Sequence, residues 1–160
     1  TVKGNAKGHV GNLMKRGIIT VKGDVGEDVG SLMERGKIII EGNAEYGVGN
    51  LMEGGKIIVG GNTGDSVGVG MSGGEIIILG NSDDRVGVVM RKGKIIVEGD
   101  SGYNVGIHSI NGLINLNGDF GSIADNAKAE IIWDDKVVGA PVYASNKTEI
   151  DKFVENYLGE

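Results

Sequence analysis

From Gly4 to Asn117 the chain repeats one 19-residue unit six times without an insertion. Each unit runs glycine, Asn or Asp, a few small or polar residues, Val-Gly, a Met slot three residues on, a third glycine, and a β-branched run. A short fixed period is the mark of a solenoid, in which each coil buries its apolar side only against its neighbours. Nineteen residues are too few for a pair of packed helices with turns. Extended chain at ~3.3 Å per residue covers roughly 60 Å, enough for one bent circuit of a β-helix.

The columns can be read off directly. The opening glycines are Gly4, Gly23, Gly42, Gly61, Gly80, Gly99 and Gly118, followed by Asn5, Asp24, Asn43, Asn62, Asn81, Asp100 and Asp119. Gly11, Gly30, Gly49, Gly68, Gly87 and Gly106 follow the valines, and Met14, Met33, Met52, Met71 and Met90 share one slot, with Ile110 assigned to it in the sixth unit. Glycine reaches positive φ without penalty, so these columns are expected at the bends. The runs Ile18–Val21, Lys37–Ile40, Lys56–Val59, Glu75–Ile78, Lys94–Val97, Leu113–Leu116 and Glu130–Trp133 read as strands. Alternation points Ile57 and Val59, with their equivalents, inward. The expected fold is all-β: a right-handed, single-stranded parallel β-helix of about seven 19-residue coils with a short C-terminal α-helix.

The solenoid is expected over residues 1–134, its last unit decaying into a cap. Residues 135–160 are expected to cross over the lone proline, Pro141, to an N-cap at Ser145 or Asn146. An amphipathic helix should follow, on Ile150, Phe153, Val154, Tyr157 and Leu158. Thr1-Val2-Lys3 stands where a preceding strand would end, an edge expected to be covered by a partner, a symmetry mate or upstream sequence.

Between the inward positions lie Ile39, Ile58, Ile77 and Ile96, an apolar stripe on an outer face. It is a candidate interface, read either as the seat of the C-terminal helix or as a docking face for another protein chain.

Residues that could carry chemistry are sparse. The chain has no Cys, which removes thiol catalysis and cysteine-ligated clusters. With 16 basic against 22 acidic residues, a nucleic-acid or anionic-membrane partner is not expected, and no apolar stretch is long enough for a span. Gly68-Val69-Gly70-Met71-Ser72-Gly73 matches a nucleotide-binding pattern but lacks the following helix. His9 and His108 lie ~24 Å apart along the axis, too far to share a metal. One acid or amide per coil cannot assemble a calcium shell. The Asn/Asp column is expected to stack side chain on side chain, with mild repulsion between Asp100 and Asp119. No catalytic, cofactor or metal residue is assigned.

The unit from Gly42 to Val59, and the next from Gly61 to Leu79, resemble the GXGXG β-helix repeats of two oxidoreductase systems. One is the GXGXG subunit of formylmethanofuran dehydrogenase, a tungsten or molybdenum complex of methanogenic archaea. The other is the C-terminal domain of the glutamate synthase large (alpha) subunit. The likeness covers residues 4 to about 133, and Val105-Gly106-Ile107-His108 with Asn111-Gly112-Leu113-Ile114 is more similar to the first of the two. It implies a non-catalytic scaffold that holds the catalytic subunits of an oxidoreductase together and carries no redox cofactor; the missing cysteines are compatible with a cytoplasmic location, and the isoleucine stripe makes a homo-oligomer mate the other expected partner. A separate glutamate synthase domain, or an independent β-helix binder or catalyst, is the alternative.

Overall fold

A computed structural model describes residues 1–139. It is a right-handed β-solenoid. Seven strands, β1 (Ile18–Val21), β2 (Lys37–Ile40), β3 (Lys56–Val59), β4 (Glu75–Ile78), β5 (Lys94–Val97), β6 (Leu113–Leu116) and β7 (Glu130–Trp133), pair in parallel in sequence order. From β1 to β6 every partner lies one unit away, Ile57 opposite Ile76 and Ile58 opposite Ile77. The strands coincide with the runs expected from the sequence. Val2 bridges to Val21, so the first residues occupy a strand-end position as expected.

The core is a stack of like side chains. Ile38, Ile57, Ile76, Ile95 and Ile114 are fully buried, as are Ile40, Val59, Ile78, Val97 and Leu116, and Val29 and Met33 with their equivalents close the interior. Fully burying one such side chain is worth ~1.5–3 kcal/mol, and repetition along the axis makes this the main stabilising term.

Three features differ from the sequence reading. The sixth Met slot belongs to Ser109, which is buried, whereas Ile110 is 52% exposed. Strict counting in nineteens leads from Met90 to Ser109. Its Oγ accepts the N–H groups of Lys128 and Ala129, both at 2.9 Å, so a polar side chain ties in the backbone of the next turn.

The glycine columns act in two ways. Gly68 and its equivalents hold φ between 66° and 73°, the left-handed bend expected. The column of Gly4 and Gly23 is not at positive φ. From Gly23 onward close approach explains these glycines: a Cβ on Gly80 would stand 2.7 Å from the carbonyl carbon of Gly61 in the coil below, whereas one on Gly4, in the first coil, would meet nothing within 4 Å.

Beyond β7 the chain turns back. Asp134 and Asp135 take φ of 50° and 58°, and β8 (Lys136–Gly139) pairs antiparallel with β7. Two successive left-handed residues make a tight hairpin whose twist suits the strands. The sheet therefore continues past the expected boundary at 134. The last coil is also shorter, Leu113 pairing with Glu130, and Phe120 meets Trp133 edge to face at 5.4 Å while the indole donates to Gly118 O at 2.9 Å. Bulky aromatics fill the space that the shortened coil cannot close with aliphatics. The helix expected after Asn146 lies outside the described residues.

Candidate functional site

A coil offers three outer faces, each built from a column of the repeat. The sheet face carries Ile39, Ile58, Ile77 and Ile96, stacked one above another in adjacent strands and half-buried. A charged column of Lys37, Lys56, Glu75 and Lys94 flanks them on one side, with Lys56 Nζ 2.6 Å from Glu75 Oε2, and a mixed column of Glu41, Gly60, Leu79 and Glu98 on the other. The four isoleucines of the candidate interface are thus brought together in one column.

The corner before the Met slot carries Leu13, Leu32, Leu51, Gly70, Val89 and His108, all in the left-handed region. Leu13 and Leu51 are exposed by more than half. Gly70 leaves a notch in this ridge, a hollow of about 430 Å³ lined by Leu32, Leu51, Val69 and Val89. The sequence reading missed this face, because left-handed leucines break the usual preference for Gly or Asn.

The third face begins at the Asn/Asp column. Each Oδ1 there accepts the backbone N–H of the next member one coil on: Asn5 from Asp24 at 2.9 Å, Asp24 from Asn43 at 2.7 Å, and Asn62 from Asn81 at 2.9 Å. This corrects the expectation that the column bonds mainly side chain to side chain, a contact made among the described residues only by Asn43 Nδ2, which donates to Asp24 Oδ1 at 3.1 Å. The Asp100 carboxylate accepts from the Asp119 amide at 2.9 Å, a role in which an anion is at least as good an acceptor as an amide. A second ladder runs from Asp65 through Asp84 to Tyr103 by the same geometry.

Beside these ladders the floor of the face is a second line of parallel bridges, Ala6, Val25, Ala44, Thr63, Ser82, Ser101 and Phe120. Thr63, Ser82 and Ser101 are buried, and Ser82 Oγ donates to Ser101 Oγ at 3.3 Å, while Thr63 Oγ1 has no partner among the described residues. Outside lies a trough. One hollow of about 730 Å³ is lined by Asn43, Glu45, Tyr46, Asp65, Asp83 and Arg85 among others. A second, of about 580 Å³, shares Asn43, Ala44 and Glu45 with it and continues toward Lys7.

The two histidines stay apart. His9 stands 3.8 Å from Asp28, and His108 Nδ1 lies 2.9 Å from Asn126 Nδ2. Among the described residues no three His, Asp or Glu side chains are grouped to hold a metal ion, and no helix is long and apolar enough to cross a membrane. Gly68 and Gly70 of the nucleotide-like pattern are both left-handed corner residues of one coil, followed by β4. Compared with known proteins, the chain matches no family model and no curated sequence.

Proposed function

We propose that the chain is a non-catalytic scaffold of a cytoplasmic oxidoreductase complex, similar in role to the GXGXG subunit of formylmethanofuran dehydrogenase and without a redox cofactor of its own. One observation carries the reading. Six unbroken units stack in one register, and in that register Ile39, Ile58, Ile77 and Ile96 form a continuous aliphatic stripe on the sheet face.

A rod of fixed pitch, tied coil to coil by backbone and Asx bonds, resists bending and presents contacts at ~4.8 Å intervals. Those are the properties needed by a scaffold that fixes the distance between catalytic chains. The stripe supplies the desolvated centre such a contact requires, and flanking Lys and Glu supply a polar rim.

The test is the native mass of the protein isolated at its natural level from its own cells, with co-purifying chains identified and tungsten, molybdenum and iron assayed. A large assembly with molybdenum- or tungsten-bearing chains is the expected result. Co-purification with flavin-bearing glutamate synthase chains would transfer the scaffold role to that enzyme. A lone 16.6 kDa chain or a small homo-oligomer would overturn the reading.

A further inference from the structure

The charge of the molecule is not spread evenly around the coil. The trough beside the Asx ladder is lined by Asp24, Glu27, Glu45, Asp65 and Asp83 against Lys7 and Arg85, a far larger excess of acid than the 22 to 16 of the whole chain. The fold employs some of these acids. Asp24 and Asp65 accept backbone N–H groups of the coils above them, and Asp65 also holds the Arg85 guanidinium. The cation lining the larger hollow is therefore already neutralised.

Glu45 and Asp83 are different. Among the described residues their carboxylates have no hydrogen-bond or ion-pair partner, and both side chains are exposed. They occupy one column of the repeat, two coils apart, and the residue between them is Gly64. The carboxylates thus flank a gap without a side chain, across ~9.6 Å of axis. Tyr46 stands next to Glu45 with 54% of its surface exposed, lining the same hollow. Its ring meets no other aromatic among the described residues. Two unpaired carboxylates about a gap, with an open aromatic beside them, form a receptor for cations: ion pairing at two points and a quadrupole face for a guanidinium or ammonium.

The trough is elongated along the axis, spanning the first coils to the fifth, and its floor is extended backbone. We propose that it binds an extended, arginine- or lysine-bearing peptide segment of a partner protein, with a basic side chain seated over Gly64 between Glu45 and Asp83 and against Tyr46. Charge complementarity selects this occupant. Phosphorylated or acidic chains would meet uncompensated carboxylates on both sides of the gap. The site lies away from the isoleucine stripe, and its chemistry holds whichever enzyme the scaffold serves.

The probe is fluorescein-labelled hexa-arginine, titrated with the full chain and followed by anisotropy, with hexa-glutamate as the anionic control. Saturable binding of the basic peptide alone is expected. The double variant Glu45→Gln/Asp83→Asn should weaken it about ten-fold or more and Tyr46→Ala about three-fold. These side chains support no described contact, so circular dichroism and thermal midpoints should match the parent. Glu34→Gln/Glu53→Gln, which removes two acids from another column, should leave affinity within about two-fold, as rim charges act weakly. Equal loss in that control would mean general charge attraction and would overturn the site. So would absence of saturation by about 1 mM, a weak limit for a specific peptide site. Tighter binding of spermine than of the peptide would reassign the trough to small polyamines and overturn the peptide reading.

Discussion

Asp24 Oδ1 accepts the backbone N–H of Asn43 at 2.7 Å, one full coil away in sequence. The same bond recurs from Asn5 to Asp119, so each coil positions the next through one side-chain oxygen that Asn and Asp share.

The ladder predicts that the oxygen matters and the amide nitrogen does not. Asn62→Asp should change stability by less than about 0.5 kcal/mol, whereas Asn62→Ala should cost about 1 kcal/mol by leaving the Asn81 N–H without its acceptor. Urea unfolding of the two variants measures this. A carboxylate as damaging as alanine would mean that the amide group, or repulsion within the column, governs the face.

Much of this fold was legible because its signals repeat. Period-two alternation, copied at intervals of nineteen, separated Ile57 from Ile58 without any propensity argument. Side-chain-to-backbone bonding left one trace in the sequence, the mixing of Asp with Asn in one column: a side-chain oxygen acceptor is the polar group common to both. Hydrophobicity favours Ile110 for the sixth Met slot, while the period of nineteen selects Ser109. The hairpin was signalled by Asp134-Asp135 before Lys136-Val137-Val138, but a parallel solenoid gives no cue that its last strand will reverse. The trough left little trace, since Glu45, Tyr46 and Asp83 fall where the repeat has no consensus and become neighbours only when coils stack.

Tight packing of Ile95 against the left-handed bend at Gly68 predicts a coupled pair. A Cβ on Gly68 would fall 2.5 Å from Ile95 Cδ1, and φ there is +70°. Gly68→Ala should therefore cost about 2 kcal/mol or more, from left-handed strain and overpacking together. Ile95→Val removes the offending methyl at ~1 kcal/mol on its own. The double variant should be more stable than the sum of the two losses by about 1 kcal/mol, read from a double-mutant cycle in urea. Strict additivity would show that backbone strain alone excludes a side chain at Gly68.

Restoring the repeat consensus at its sixth unit should damage the protein. Ser109→Met places the residue found in five other units, yet it removes the acceptor of two amide groups and forces a long thioether against Ala127 and Ala129 in a shortened coil. A loss of about 2–3 kcal/mol is expected, against roughly 1–2 kcal/mol for Ser109→Ala, which leaves the amides orphaned without overpacking. Hydrogen exchange at Lys128 and Ala129 should accelerate in both variants. Stabilisation by methionine would mean that the consensus core continues through the sixth coil.

The leucine corner predicts the opposite sign. Leu51 holds φ of 55° while 51% exposed, and Val89 holds 53° despite its branched Cβ. Left-handed geometry costs an ordinary L-residue roughly 1–2 kcal/mol, and Asn less, because its short polar side chain bonds locally. Leu51→Asn gives up partial burial worth under about 1 kcal/mol, and Val89→Asn removes a β-branched side chain from its worst region of backbone space. Both substitutions should therefore hold or raise the urea midpoint, Val89→Asn by the larger margin. A fall of about 1 kcal/mol at Leu51 would show that the Gly70 notch packs this side chain more tightly than its exposure implies. A gain in stability would leave the ridge unexplained by folding, and apolar side chains kept at an energetic loss on an exposed corner are best accounted for by contact with another surface.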